Sequence, residues 1–190
     1  MKKPIDVICD FYMAHSLLPA REIEYMRYAM LSVFSETIKL LLFLVLFLLL
    51  DKLSAFGLIL LVLFPIRWAS GGVHARSFWG CFSASLLWLL FLVYVPPYLP
   101  MNLLLQALLL FLALLSIRHI PYTPAFRPIT RQRTIRILRY CYLVLVCLWI
   151  LVFNIADMPA AYARIGFYTI LLQVLQLFTP HTQKGGVVHV

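Results

Sequence analysis

Along this chain, long apolar runs alternate with short polar stretches, and the lengths of the runs decide what elements they can form. A helix needs about 20 mostly apolar residues to cross a bilayer, with about 17–25 tolerated. The clearest segments of that kind are Leu31 to Leu50, Phe78 to Val95, Met101 to Ile117, Leu138 to Asn154 and Ala160 to Phe178. A further segment, Leu53 to Trp68, is short and carries Pro65, so it either spans under strain or only re-enters the bilayer. Helices built from these runs are apolar all round and require lipid or protein on every side. Residues 1–30 differ: Ile5, Ile8, Phe11 and Tyr12, then Ile23, Met26 and Tyr28, recur at helical spacing among charged positions. That pattern suits amphipathic helices on the inner leaflet, separated at Pro19. The expected class is all-α, a polytopic integral membrane protein of about six transmembrane helices. It forms one membrane domain, with residues 1–30 amphipathic, 31–178 transmembrane and 179–190 a short tail.

Composition strengthens this reading, because 64% of the 190 residues are hydrophobic and 12% are charged, whereas soluble domains carry about 25% charged residues. The 16 Lys and Arg against 7 Asp and Glu would suggest nucleic acid in a soluble chain. Here the basic residues cluster between apolar runs, so they report topology and nucleic acid is not an expected partner. With six crossings, the side holding both termini carries Lys2, Lys3, Arg21, Arg27, Arg67, Arg76, Arg118, Arg127, Arg131, Arg133, Arg136, Arg139 and Lys184. The other side holds only Lys52 and Arg164. The bias places both termini in the cytoplasm of a multi-pass membrane protein. Asp6, Asp10, Glu22 and Glu24 leave no apolar core for a cleavable signal in the first 30 residues.

Several polar features have two readings. Glu36 and Lys39 are three apart on the first span and either neutralise each other or touch a substrate. The stretch from His119 to Pro128 holds three prolines and cannot form a regular helix. The arginines at 131, 133, 136 and 139 line one helical edge, which suits anionic lipid headgroups or an acidic peptide. Cys9, Cys81, Cys141 and Cys147 show no CxxC spacing, so neither a metal site nor a disulfide framework is expected, and no cofactor is implied. Cys141 and Cys147, inside an apolar run, read as small buried hydrophobes. His15, His119 and His181 read as interfacial residues, and the terminal Gly185-Gly186-Val187-Val188-His189 as a coincidental echo in a frayed end.

The densest polar stretch between spans runs from Arg67 through Ser70, Gly71, Gly72, His74 and Arg76 to Ser77, with Cys81 at the mouth of the next span. A thiolate is a useful nucleophile, and an imidazole can take the thiol proton and later return it to a leaving amine. Seven residues on one continuous helix advance roughly 10.5 Å, too far for direct contact between His74 and Cys81. Gly71 and Gly72 offer a remedy, since glycine tolerates positive φ and lets the chain fold back. The next helix would then start near Ser77 as its cap, with Cys81 near the first turn, where the helix terminus favours negative charge. Arg67 and Arg76 either bind substrate carboxylates or mark the interface. Ser70 or a backbone amide is a candidate oxyanion donor.

The Gly71-Gly72-Val73-His74-Ala75 pattern with Cys81 seven residues after the histidine, set between apolar spans, resembles the accessory gene regulator protein B family (AgrB). These are bacterial membrane cysteine endopeptidases that process the precursor of a quorum-sensing peptide. The resemblance implies that His74 and Cys81 are the catalytic pair and that the substrate is a short precursor peptide with an acidic C-terminal tail. It implies cleavage through a Cys81 acyl-enzyme, followed by thioester exchange to a cysteine of the peptide that closes a thiolactone. Expected partners are that peptide, the lipid bilayer with its anionic headgroups, and a second copy of the chain as a homodimer. Two rival readings are a small transporter, weakened by the scarcity of ionisable residues inside the spans, and a non-catalytic helical or lipid-binding protein.

Overall fold

The structure, a computed structural model, describes residues 4–15, 19–72, 78–121 and 131–179. His74, Arg76, the expected cap at Ser77, the proline stretch 122–128 and the tail 180–190 lie outside the described residues. The chain divides into two compact units, Met1–Leu49 and Leu50–Val190.

The first unit holds helix α1 (Pro4–Ala14) and helix α2 (Ala20–Leu49), with Pro19 in the gap between them as expected. Asp6 in the first turn of α1 pairs with Arg27 of α2 at 3.1 Å. Cys9 and Ile23 are buried. Helix α2 has 30 residues, which corresponds to about 45 Å of rise. It therefore joins half of the amphipathic segment to the first apolar run without a break near residue 30. The physical reason is local: Ala29-Met30-Leu31 contains no helix breaker, and the residues before it already follow helical spacing. Glu36 and Lys39 form the expected ion pair, with Lys39 nearly buried and the carboxylate half exposed.

The second unit holds α3 (Leu53–Ser70), α4 (Phe78–Tyr94), α5 (Leu103–Ser116), α6 (Gln132–Ile155) and α7 (Ala160–Gln176), with single 3-10 turns at Pro96–Tyr98 and Ile117–His119. Pro65 sits inside α3 without ending it. The buried side of α3 is a stripe at three- and four-residue steps, Ala55, Phe56, Ile59, Val62, Ile66 and Ala69. It packs into a shared core with Leu109 and Ala113 of α5, Tyr142 and Val146 of α6, and Phe167, Ile170 and Val174 of α7. Helices α6 and α7 approach closely at Gly166, where an added Cβ would lie 2.9 Å or less from atoms of the Phe153 ring.

Side-chain hydrogen bonds fix the direction of each helix. At one end Ser54 meets Tyr162 at 2.7 Å, Arg164 Nη1 donates to the Pro97 carbonyl at 2.6 Å, Tyr168 Oη donates to the Pro100 carbonyl at 2.9 Å, and Gln106 exchanges hydrogen bonds with Asn154. At the other, Gln173 reaches Ser70, Tyr142 meets Ser116 at 2.9 Å, and Arg139 Nε donates to the Ile120 carbonyl at 3.0 Å. Starts of α3, α5 and α7 thus share one end with the finishes of α4 and α6, so the chain crosses back and forth. Lys52 and Arg164 mark the first end; Arg67, Arg118, Arg131, Arg133, Arg136 and Arg139 mark the second.

Apolar side chains left outside this core include Leu61, Phe64 and Trp68 on α3, Leu103, Leu104 and Phe111 on α5, and Val144, Leu148 and Leu151 on α6. Such continuous apolar surface requires a lipid surround. Among the described residues, four helices are long and apolar enough to cross a bilayer, Glu22–Leu49, Leu53–Ser70, Phe78–Tyr98 and Gln132–Ile155. Leu103–His119 is apolar but shorter, and α7 has 17 residues. The protein is an all-α polytopic membrane protein.

Candidate functional site

The candidate site lies where α3 ends and α4 begins. Helix α3 closes when the Gly71 amide donates to the Arg67 carbonyl at 2.8 Å. Gly71 then adopts φ 78° and ψ −169°, a region open essentially to glycine alone. That conformation turns the chain out of the helix, and the next described helical residue is Phe78. The expected break at the paired glycines is present, so residues 71 and 81 do not share a continuous rod.

Gly72 is constrained for a different reason. A Cβ there would fall 2.8 Å from Nε of Arg67 and closer still to its terminal nitrogen. The Arg67 guanidinium therefore lies directly against the backbone just after the turn, over a residue without a side chain. Arg67 sits in the last turn of α3, where a positive charge also meets the negative end of the helix.

Cys81 is the fourth residue of α4 and is half-buried, in the first turn as the sequence predicts. Around it in that turn, Phe78 stacks on Phe82 with centroids 6.3 Å apart, and Trp79 meets Phe82 edge-on at 6.2 Å. The buried residues of α4, Leu89, Leu92 and Val93, all belong to its far half. Cys81 thus lies in the half of α4 that holds none of its fully buried residues.

Ser70 is fully buried, and its hydroxyl bonds to the Gly71 carbonyl at 3.1 Å. The Nε2 amide of Gln173 on α7 donates to Ser70 Oγ at 3.1 Å and to the Gly71 carbonyl at 3.2 Å. Gln173 is a polar residue the sequence reading passed over. Its signal was an amide within the apolar run from Ala160 to Phe178, where an unpaired amide would be costly in lipid.

Other sequence candidates resolve as follows. His15 accepts a place on its own helix, with Nδ1 2.9 Å from the Phe11 carbonyl, and His119 packs edge-on against Phe178. Cys141 is half-buried against the core, but Cys147 is exposed on α6 rather than buried, because its side of the helix faces away from α3 and α7. The arginine edge begins with Arg131 at the helix cap position; Arg133 and Arg136 are exposed, while Arg139 is drawn inward to the Ile120 carbonyl.

A curated Clostridium beijerinckii protein described as AgrB-like is 24% identical over 176 residues, covering 91% of this chain and 85% of the relative. No solved structure matches the chain. The family model of accessory gene regulator B matches residues 7–177, which takes in both glycines, the intervening His74 and Cys81. With the family model covering residues 7–177, the chain belongs to the accessory gene regulator B family, which serves peptide processing in agr quorum sensing.

Proposed function

We propose that the protein is a membrane thiol endopeptidase that cuts a short precursor peptide at the cytoplasmic face and promotes its closure into a thiolactone. The observation that carries this reading is the reversal at Gly71, which ends α3 and leaves Cys81 in the first turn of α4. In sequence His74 falls between these two helices, and we pair its imidazole with the thiol because a single straight helix from 74 to 81 would keep them apart.

In this mechanism His74 takes the Cys81 proton, and the thiolate attacks the carbonyl of a peptide bond near the carboxy end of the precursor. The carbon–nitrogen bond breaks, the proton passes from His74 to the leaving amine, and the acidic tail departs. The remaining peptide is held as a thioester on Cys81. A cysteine of the peptide then attacks that thioester, its proton passes by way of His74 to the departing Cys81 sulfur, and the ring closes. Exclusion of water from the acyl-enzyme at a membrane-embedded site favours exchange over hydrolysis. Arg67 and Arg76 offer charge for the acidic tail, and backbone amides of the first turn of α4 can face the developing oxyanion.

The proposed orientation places the arginine-rich end of the bundle in the cytoplasm of a bacterial cell, among anionic headgroups. The test is co-expression with a small neighbouring reading frame that encodes an amphipathic leader, a cysteine-containing core and an acidic tail. Mass spectrometry should detect tail release with the wild-type chain and none with Cys81→Ala. Release by Cys81→Ala at the wild-type rate would end the nucleophile assignment.

A further inference from the structure

Gln173 is separated from the glycine turn by about a hundred positions, yet its side chain meets that turn at two points. It is nearly buried, with 3% relative exposure, near the end of α7. Its amide nitrogen carries two N–H groups. Their acceptors are Ser70 Oγ at 3.1 Å and the Gly71 carbonyl at 3.2 Å. Ser70 Oγ also bonds to the Gly71 carbonyl at 3.1 Å. The last carbonyls of a helix lack partners within it, and burying them in lipid without replacement is unfavourable. Gln173 supplies that replacement at the residue whose φ of 78° bends the chain.

No other described residue of α7 reaches the turn by a side-chain hydrogen bond. Thr169, one turn earlier and also buried, bonds instead to the Ile165 carbonyl of its own helix at 2.7 Å. Gln173 thus ties α7, the most deeply buried helix of the second unit, to the backbone that leads to residue 74 two positions beyond Gly72.

We infer that Gln173 is a positioning residue for the reaction: its amide clamps Ser70 and Gly71 so that the chain leaves α3 on a fixed course toward the His74–Cys81 pair. This rests on the peptidase reading above. The clamp touches neither substrate nor thiol. It acts by holding the turn, so its loss should appear as a less reactive Cys81 rather than as weaker substrate binding.

The experiment needs no substrate. The full-length protein in detergent micelles is treated with iodoacetamide across pH 6–10, and alkylation of Cys81 is followed by peptide mass spectrometry, which separates it from Cys9, Cys141 and Cys147. Gln173→Leu should slow alkylation of Cys81 at neutral pH by about tenfold, through loss of the two neutral hydrogen bonds that hold the turn. The difference should close toward pH 10, above the ordinary thiol range of about 8.5, where the thiol ionises without help. In a His74→Ala background Gln173→Leu should have no further effect. Thr169→Val, which removes a buried polar group from the same helix but not the clamp, should match the wild type.

The outcomes separate the two claims. If His74→Ala leaves neutral-pH alkylation of Cys81 unchanged, the pair itself is rejected and the clamp with it. If His74→Ala slows alkylation but Gln173→Leu does not, the pair stands and the clamp is overturned. Should Gln173→Leu aggregate, Ser70→Ala decides the matter: it removes one of the two acceptors, and a slowing of about threefold that vanishes without His74 supports the clamp, whereas a wild-type profile refutes it.

Discussion

Replacing Gly71 by alanine strikes the account at its geometric centre. The residue holds φ 78° and ψ −169°, and a side chain in that region costs about 1–3 kcal/mol. The folded bundle would survive, because helices α3, α6 and α7 share a core that does not include Gly71. The turn would instead relax to a conformation that alanine accepts, and the observed one would become a minor state. At about 1.4 kcal/mol per factor of ten, its population would fall between about 5-fold and about 150-fold. If cleavage requires this turn, the rate of tail release should fall by the same factor. The assay is tail release by mass spectrometry in membranes, with protein amount set by immunoblot and folding by gel filtration in detergent. Gly57→Ala, also on α3, is the matched control, since a methyl there meets nothing within 4 Å. A Gly71→Ala protein that cleaves at the wild-type rate, with Gly57→Ala unchanged, would refute the claim that this reversal assembles the site.

Gly72→Ala should displace the Arg67 guanidinium, and if Arg67 serves the reaction the loss of tail release should match that of Arg67→Ala without adding to it in the double variant. Additive losses would show that the glycine acts through something other than the arginine. Gly166→Ala should lower thermal stability in detergent by about 1–3 kcal/mol through overlap with Phe153, and Phe153→Leu should restore much of it. An unchanged melting temperature would contradict the close approach of α6 and α7. Gln106→Leu should lower stability in a detergent melt by about 0.6 kcal/mol through loss of the paired hydrogen bonds with Asn154, whose Nδ2 keeps only its bond to the Ile150 carbonyl, while replacing both residues by leucine should lie nearer the wild type.

Much of this architecture is legible in the residues themselves. Apart from the start of α6, apolar run lengths predict the helices from Leu53 onward to within a few positions, because lipid demands long uninterrupted stretches. Pro19 marks the gap between α1 and α2, and Gly71-Gly72 marks the end of α3. Cys81 falls in the first turn of α4 because the apolar run that starts at Phe78 carries the helix through Gly80. Boundaries set by charge rather than by a breaker are less readable. Helix α2 continues across residue 30, and α6 starts at Gln132 because arginines are good helix formers. Pro65 is tolerated within α3 because its surroundings in a bundle can satisfy the freed backbone. The bond from Gln173 to Ser70 is beyond the sequence alone. It joins residues 103 apart, and no local spacing encodes which two helices lie side by side.

The most direct test of the central claim is to trap the acyl-enzyme. The candidate precursor is co-expressed with the wild-type chain after its own cysteine is changed to alanine, which removes the group that closes the ring. Peptide mass spectrometry should then find the precursor's amino-terminal portion attached to Cys81 as a hydroxylamine-sensitive thioester, absent from His74→Ala and Cys81→Ala. An adduct on a different residue, or continued tail release by Cys81→Ala, would contradict the account.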